Sequence, residues 1–231
     1  MKPTDFVQQV LLRSGTAWVL WTLGGLSIVT VGIIIERWLF LRARDCEPQA
    51  LARSIRPHLV RRHFAAAAQE LGKTRSVAAA VAAAGLQLAA LGPAAVEKSM
   101  QSAVAIERGL LERWLAYLGT VGNNAPFIGL FGTVVGVIGA FEQLGHGAAQ
   151  GAGGAAGQLA SQAVMTSIAE ALVATAAGIL VALPAVAAFN YFQRRIAALL
   201  LTTDALANLV IAYVADGRAT PAGDVEAGRG P

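Results

Sequence analysis

The last long apolar run of this 231-residue chain limits its fold more than any other feature. Residues 171–193 contain no Asp, Glu, Lys or Arg, and a carboxylate, Glu170, comes directly before them. A run of that length is long enough to cross the hydrocarbon core of a bilayer as a helix. A carboxylate at the edge of such a helix is expected to face a bundle interior or a wet cavity, where it can exchange a proton.

The composition also points to a membrane protein. Charged residues make up 14% of the chain, whereas they supply about a quarter of a soluble domain. The single cysteine, Cys46, excludes an internal disulfide, and the three scattered histidines lack metal-ligand spacing. The basic residues flank apolar runs, so the net charge of +4 indicates a membrane surface rather than nucleic acid. The opening residues do not have the pattern of a cleavable signal peptide.

Two further charge-poor runs have spanning length, and the basic residues between them set the orientation. Twelve Lys and Arg lie between the first and second spans, four follow the third, and none lies between the second and third. The positive-inside rule therefore places the N-terminus outside and the C-terminus in the cytoplasm. The predicted segments are an outer-surface amphipathic helix (1–13), a first transmembrane helix (14–35), a cytoplasmic helical segment (36–113), a second transmembrane helix (114–141), a periplasmic loop (142–158), a third transmembrane helix with a polar N-terminal extension (159–193), and a cytoplasmic helix with a disordered tail (194–231).

The cytoplasmic segment is rich in strong helix formers, so it is predicted to be helical. Gly72 and the pair Gly92-Pro93 are expected to separate its helices. After Pro93 the apolar spacing predicts one amphipathic helix that runs directly into the second span.

The second span carries a stripe of glycines on one face of a helix, at Gly129, Gly132, Gly136 and Gly139. Small residues let helices approach closely inside a membrane. The stripe fits packing within one chain and packing between chains about equally well. Three spans bury little surface by themselves, however, which favours an oligomer.

Few polar residues lie within the spans, and each has a structural alternative to a functional role. A threonine in a transmembrane helix commonly bonds a carbonyl of its own helix. Asn123 and Asn124 are expected to satisfy a helix break at Pro126, and Pro184 predicts a kink in the third span.

Glu170 has two interpretations. It is either an ordinary acid at the headgroup level, or it lies deeper, because the uncharged residues before it are compatible with helix. Glu170 and Thr175 are five residues apart, about 140° around an ideal helix. They do not share a narrow stripe.

Two strings of the chain resemble a known family: IGLFGTVVGVIGAF (128–141) and SIAEALVATAAGILVALPAVAAFNYF (167–192). They are similar to the second and third spans of the ExbB/TolQ/MotA proton-channel family, and more so to ExbB and TolQ than to MotA. Many ExbB and TolQ members have Trp where this chain has Val135. That departure leaves the subfamily open.

The resemblance implies a homopentamer in the bacterial inner membrane, with the second and third spans around a central pore. It implies a partner resembling ExbD or TolR, whose single transmembrane helix carries a proton-binding Asp and occupies the pore. The complex would convert proton flow into mechanical work and pass it to a TonB-like or TolA-like protein. Related gliding motors push surface machinery instead.

Three residues match functional positions of the family. Glu170 corresponds to the pore glutamate of the third span, Thr175 to the threonine five residues later, and Thr133 to the threonine of the G-T-V motif. The resemblance implies that Thr133 and Thr175 present hydroxyls to the partner's Asp, while Glu170 tunes proton entry or holds the partner. Pro184 would shape the cytoplasmic end of the pore.

The leading hypothesis is therefore an all-α proton-channel stator subunit that serves TonB-dependent import, and not an enzyme. The alternatives are a TolQ-type or gliding motor subunit, a structural membrane scaffold whose polar residues only pack helices, and a channel that works alone. No cofactor is predicted. The glycine cluster at 151–154 lies between two spans rather than between a strand and a helix, which argues against nucleotide binding.

Overall fold

The computed structural model describes residues 17–45, 47–149 and 155–216, and all regular structure in those ranges is helical. The predictions for residues 1–13 and for the tail beyond residue 216 fall outside the described residues. The helices, numbered in chain order, are α1 (Ala17–Ala43), α2 (Pro48–Val60), α3 (Phe64–Gly72), α4 (Val77–Leu86), α5 (Pro93–Glu112), α6 (Leu115–Ala149) and α7 (Ala155–Ala215), with a 3-10 turn at Ala89–Leu91.

Three helical stretches in the described part of the chain are long and apolar enough to cross a membrane. They are Ala17–Val60, Pro93–Gly145 and Ser161–Ala215. Each includes one of the charge-poor runs of the sequence, because a long run without charge is also the property that lets a helix enter hydrocarbon. The all-helical architecture with three candidate spans is the one predicted.

The chain divides into two units. The first, called here the membrane unit, comprises the described residues up to Leu39 together with Arg113–Gln193. Its core joins α1, α6 and α7, and small residues dominate the α6 and α7 sides. The buried members are Val19, Leu23, Val121, Ala125, Ala174, Val181, Ala182 and Ala185.

The second unit, called here the α2–α5 unit, comprises Phe40–Glu112 and the described residues from Arg194 onward. Its core is built from larger aliphatic side chains, with Ile55, Leu59 and Val210 almost fully buried. Gly85 of α4 lies directly beneath Met100 of α5, so a side chain at Gly85 would displace the methionine.

Local chemistry explains where the helices of the α2–α5 unit begin and end. Ser76 caps α4, its hydroxyl oxygen accepting a 3.1 Å hydrogen bond from the amide of Ala79. Gly92 has a φ of 95°, which glycine adopts without strain, and Pro93 opens α5. The predicted breaks at Gly72 and Gly92-Pro93 both occur.

The structure corrects the prediction that one helix runs from Pro93 into the second span. Helix α5 ends at Glu112, and α6 begins at Leu115. Between them Trp114 has a φ of 67°, a left-handed conformation that interrupts the helical hydrogen bonds. The guanidinium of Arg113 lies 5.4 Å from the centre of the Trp114 ring.

Two further differences lie in the spanning helices. Residues 142–149 and 155–158, predicted as loop, are helical, since α6 continues to Ala149 and α7 starts at Ala155. No helix break occurs at Pro126, because α6 runs through it. The side-chain amide of Asn124 donates to the carbonyl of Thr120, so it satisfies a turn of an intact helix.

Candidate functional site

The closest approach between α6 and α7 is made by two glycines. A Cβ atom added to Gly129 would lie 2.7 Å from the carbonyl oxygen of Ala174 and 3.2 Å from the Cα of Gly178. A Cβ added to Gly178 would lie 2.6 Å from the carbonyl oxygen of Ala125 and 3.0 Å from the Cα of Gly129. Backbone therefore packs directly on backbone, as small residues permit in membrane helices.

The glycine contacts also establish the direction and register of the two helices. Gly119 lies against Phe189 and Gly122 against Val186. Farther along α6, Gly129 meets the backbone of Thr175, and a Cβ on Gly132 would lie 2.8 Å from that of Ala174. Residue numbers rise along one helix as they fall along the other, so α6 and α7 are antiparallel.

This register places Thr133 and Thr175 less than one helical turn apart along the helix axes. Thr133 follows Gly132 on α6, Thr175 follows Ala174 on α7, and Gly132 and Ala174 are in contact. Because the helices are antiparallel, the two threonines lie on either side of this contact, about 3 Å apart in depth. Both threonines are partly buried in the membrane unit. The two hydroxyls that the sequence singles out thus belong to one layer across the helix pair.

Both hydroxyl hydrogens have acceptors within the unit. The Thr133 hydroxyl donates to the carbonyl of Leu130, one turn earlier in α6, at 2.6 Å. The Thr175 hydroxyl donates across the helix pair to the carbonyl of Gly129 at 3.2 Å. A hydroxyl has one donor hydrogen and two acceptor lone pairs. What each threonine can still offer to a third group is therefore acceptor capacity.

Glu170 lies apart from the threonine layer. It is exposed in the membrane unit, five residues before Thr175 on the same helix. Five residues correspond to about 7.5 Å along the helix axis. Pro184 is also exposed, on the opposite side of the layer, and α7 continues through it.

The predicted glycine stripe is only partly explained by these contacts. Gly129 and Gly132 face α7, and Val19 of α1 also touches the Gly132 position. Gly136 is buried and Gly139 partly buried. Sequence reasoning missed Gly119 and Gly122, which extend the contact toward the start of α6. The pattern to look for was the spacing of three and four residues between small side chains on α6, at Gly119, Gly122, Ala125, Gly129 and Gly132.

A further polar contact joins the two helices that carry the threonines. Gln143 of α6 donates to the hydroxyl of Ser167 of α7 at 3.2 Å, which continues the antiparallel register. Val135 is 3% exposed, so a much larger side chain at this position would not fit this packing. Among the described residues, no group of three or more His, Cys, Asp or Glu side chains could hold a metal ion.

A known protein family matches the part of the chain that contains these helices. Residues 73–205 match the sequence profile of the MotA/TolQ/ExbB proton channel family. That segment contains α4, α5, α6 and most of α7.

Several characterised proteins are similar to part of the chain. Biopolymer transport protein ExbB of Xanthomonas campestris pv. campestris is 36% identical over 122 residues, which is 53% of this chain and 45% of the relative. Tol-Pal system protein TolQ of Pseudomonas aeruginosa is 43% identical over 101 residues, 43% of this chain and 39% of the relative. ExbB of Neisseria gonorrhoeae is 45% identical over 91 residues, 39% of this chain and 37% of the relative. In each case the alignment spans less than half of the relative's length.

The family profile covers more than half of the chain, including both helices that carry the threonine layer. The resemblance drawn from the two sequence strings is thereby confirmed. The chain belongs to the MotA/TolQ/ExbB proton channel family.

Proposed function

We propose that this protein is the channel subunit of a proton-driven motor in the bacterial inner membrane. Five copies surround a pore formed by α6 and α7, and the transmembrane helix of an ExbD/TolR-like partner occupies that pore. The proposal is supported by one observation, the antiparallel register in which Thr133 and Thr175 flank the Gly132–Ala174 contact, less than one helical turn apart along the axis. Repeated around a ring, this layer forms a polar collar inside an otherwise apolar bundle.

The hydrogen bonds of the collar favour one protonation state of the partner's Asp. With their hydrogens on the carbonyls of Leu130 and Gly129, the two hydroxyls offer only lone pairs to the pore. A neutral carboxylic acid can donate to them, and a carboxylate cannot. To solvate the carboxylate, Thr175 must turn its hydrogen away from Gly129. Breaking that bond costs on the order of 1 kcal/mol, so proton uptake and the seating of the partner helix are coupled.

Glu170 acts at a different depth from the collar. A carboxylate one to two turns from the threonines is well placed to attract a proton toward the layer or to hold the partner by charge. The expected orientation, N-terminus outside and C-terminus inside, makes the Glu170 side the periplasmic entrance. One elementary charge that crosses 100 mV yields about 2.3 kcal/mol. A few protons per step therefore supply enough free energy to shift packed helices.

The force is proposed to reach a TonB-like protein and energise import across the outer membrane. A TolA-like recipient is the second candidate, because the similarity to TolQ of Pseudomonas aeruginosa is as strong as that to the ExbB proteins. The proteins encoded beside this gene would distinguish the two recipients, and gliding components there would indicate the third kind of motor.

The test combines partner binding with matched hydroxyl deletions. The full-length chain is co-expressed with a neighbouring single-span protein that has an Asp in its span, and the pair is purified through a tag on the partner. Thr133→Val, Thr175→Val and Glu170→Gln should each abolish energised function in cells while the complex still co-purifies. Valine keeps the shape of threonine and removes only the hydroxyl.

Thr166→Val is the matched control on α7. Its hydroxyl also donates to a carbonyl of its own helix, that of Gln162 at 3.0 Å, but it lies more than two turns from the layer. It should behave as the unaltered protein. Failure of any such partner to co-purify, or full function in all three site variants, would favour a structural scaffold instead.

A further inference from the structure

A groove in the α2–α5 unit is not used by the proposed proton pathway. It has a volume of about 890 Å³ and lies between α3 and the stretch that joins α4 to α5. Five alanines, Phe64 and Leu86 make much of its wall apolar, and Gln69 and Gln87 add two side-chain amides. A wall built mainly of alanine leaves room for the backbone of an extended peptide.

Part of the groove is basic. Arg62 and His63 belong to its lining, in the short link between α2 and α3, and both side chains are exposed. A carboxylate brought to this part would meet the guanidinium of Arg62 and the ring of His63, both of which donate hydrogen bonds. The groove therefore suits an occupant that combines carboxylates with small apolar residues.

The end of α7 lies beside the same groove. The Arg62 guanidinium donates a 3.4 Å hydrogen bond to the backbone carbonyl of Asp216, the last residue of the described range 155–216. Residues 217–231 therefore start next to a residue that lines the groove. Eight residues of extended chain reach at most about 28 Å, so Asp224 has ample length to come back to Arg62.

The sequence of residues 217–231, GRATPAGDVEAGRGP, complements the groove in size and in charge. It consists mainly of Gly, Ala and Pro, and Val225 is its one aliphatic side chain larger than alanine. Asp224 and Glu226 flank that valine, and the segment's two arginines, at 218 and 229, lie outside this triplet. Successive side chains of an extended chain point to opposite sides, so Val225 can face the apolar wall while both carboxylates face the basic part.

We propose that residues 217–231 bind in this groove of their own chain, with Val225 on the alanine wall and Asp224 and Glu226 paired with Arg62 and His63. Each exposed ion pair is weak, but the covalent link holds the segment at an effective concentration of about millimolar. That link favours the chain's own segment over a separate acidic peptide. The site lies within the α2–α5 unit and does not depend on the motor proposal.

Disulfide trapping in the full-length, detergent-purified protein tests the site. The single native cysteine, Cys46, is first replaced by serine. Val225→Cys is then combined with Gln87→Cys in the groove, or with Gln101→Cys, an exposed glutamine of α5 outside the lining. During oxidation by copper phenanthroline, the pair with Gln87→Cys should form its disulfide about tenfold faster, because binding in the groove raises the local concentration of the second thiol.

Charge variants test the ion pairs. Asp224→Asn and Glu226→Gln should each slow trapping about twofold to threefold, the effect of an exposed ion pair. Each rate is compared with that of the Gln101→Cys pair carrying the same substitution, which corrects for any change in the reactivity of the thiol at position 225. Unchanged relative rates in both variants would overturn the pairing with Arg62 and His63.

A groove-filling variant tests the apolar wall. Ala65→Trp adds bulk to an exposed lining residue of α3 and should slow trapping to the rate of the Gln101→Cys pair. The matched control Ala80→Trp, at an exposed alanine of α4 outside the lining, should leave trapping unchanged. Equal rates for the Gln87→Cys and Gln101→Cys pairs, or a disulfide that links two copies on a non-reducing gel, would overturn binding within the chain.

Discussion

The glycine contact between α6 and α7 predicts a specific cost for one added methyl group. In Gly129→Ala the new Cβ would start 2.7 Å from the Ala174 oxygen and 3.0 Å from the Thr175 Cα. Ordinary van der Waals contacts of a Cβ begin near 3.4 Å. The shortfall, 3.4 minus 2.7, is roughly 0.7 Å. Since the obstructing atoms are backbone, the helices themselves must separate.

The separation of the two helices determines how much stability is lost. Overpacking a well-packed contact typically costs about 1–3 kcal/mol, and moving α7 outward also lengthens the 3.2 Å hydrogen bond from Thr175 to Gly129. For a chain of this size, such a loss lowers the midpoint of thermal unfolding by about 2–12 °C. Because Gly178→Ala obstructs the same contact, the double variant should lose less than the sum of the two single losses.

Thermal unfolding of the detergent-purified protein, followed by tryptophan fluorescence, measures these losses. Gly32→Ala is the matched control, since Gly32 of α1 has nothing within 4 Å of the position of an added Cβ. It should leave the midpoint unchanged or raise it slightly, because alanine is the better helix former. If Gly129→Ala and Gly32→Ala shift the midpoint equally, or if Gly129→Ala and Gly178→Ala add fully, the close approach of α6 and α7 is not as described.

Two further predictions concern the α2–α5 unit. Arg62 has a φ of 57° at the end of α2, where glycine is favoured. Arg62→Gly should therefore raise the free energy of denaturant unfolding by about 1 kcal/mol. The control Arg61→Gly, at a φ of −82°, should lower that free energy. Ser76→Ala removes the cap of α4 and should lower the free energy of unfolding by about 1 kcal/mol, with faster amide hydrogen exchange at Ala79. Ser76→Asp should restore both the free energy of unfolding and the slow exchange at Ala79. If the Ala79 amide exchanged as fast in Ser76→Asp as in Ser76→Ala, the side-chain cap would not be what stabilises the first turn of α4.

The spans were predictable because the length of a run without charged residues can be counted directly in the sequence. The break at Gly92-Pro93 was predictable for a similar reason, since both residue types have strong backbone preferences. Trp114 was not, because a left-handed tryptophan leaves no trace in composition or periodicity. The acceptor of the Thr175 hydroxyl was equally unpredictable, because the Gly129 carbonyl lies 46 residues away and the contact depends on the register of two helices.

The functional residues likewise divide into those that the sequence predicts and those that only the structure identifies. A resemblance to the family can select Thr133 and Thr175, but their closeness in depth, less than one turn, follows from the packing of Gly132 against Ala174. Gly178 was grouped with neighbouring alanines in sequence, although it is the position that faces Gly129. Pairing across helices is a property of three-dimensional contact, which a one-dimensional pattern does not contain.

The apposed glycines at 129 and 178 restrict how this gene can vary. Every amino-acid replacement reachable from a glycine codon carries a β-carbon, so any missense change at either site adds an atom where the opposite main chain already lies. A second, compensating replacement is not available at the facing site, because glycine cannot become smaller. Random mutagenesis with selection for membrane assembly should therefore recover substitutions at Gly24 and Gly25, which face open space, far more often than at this pair.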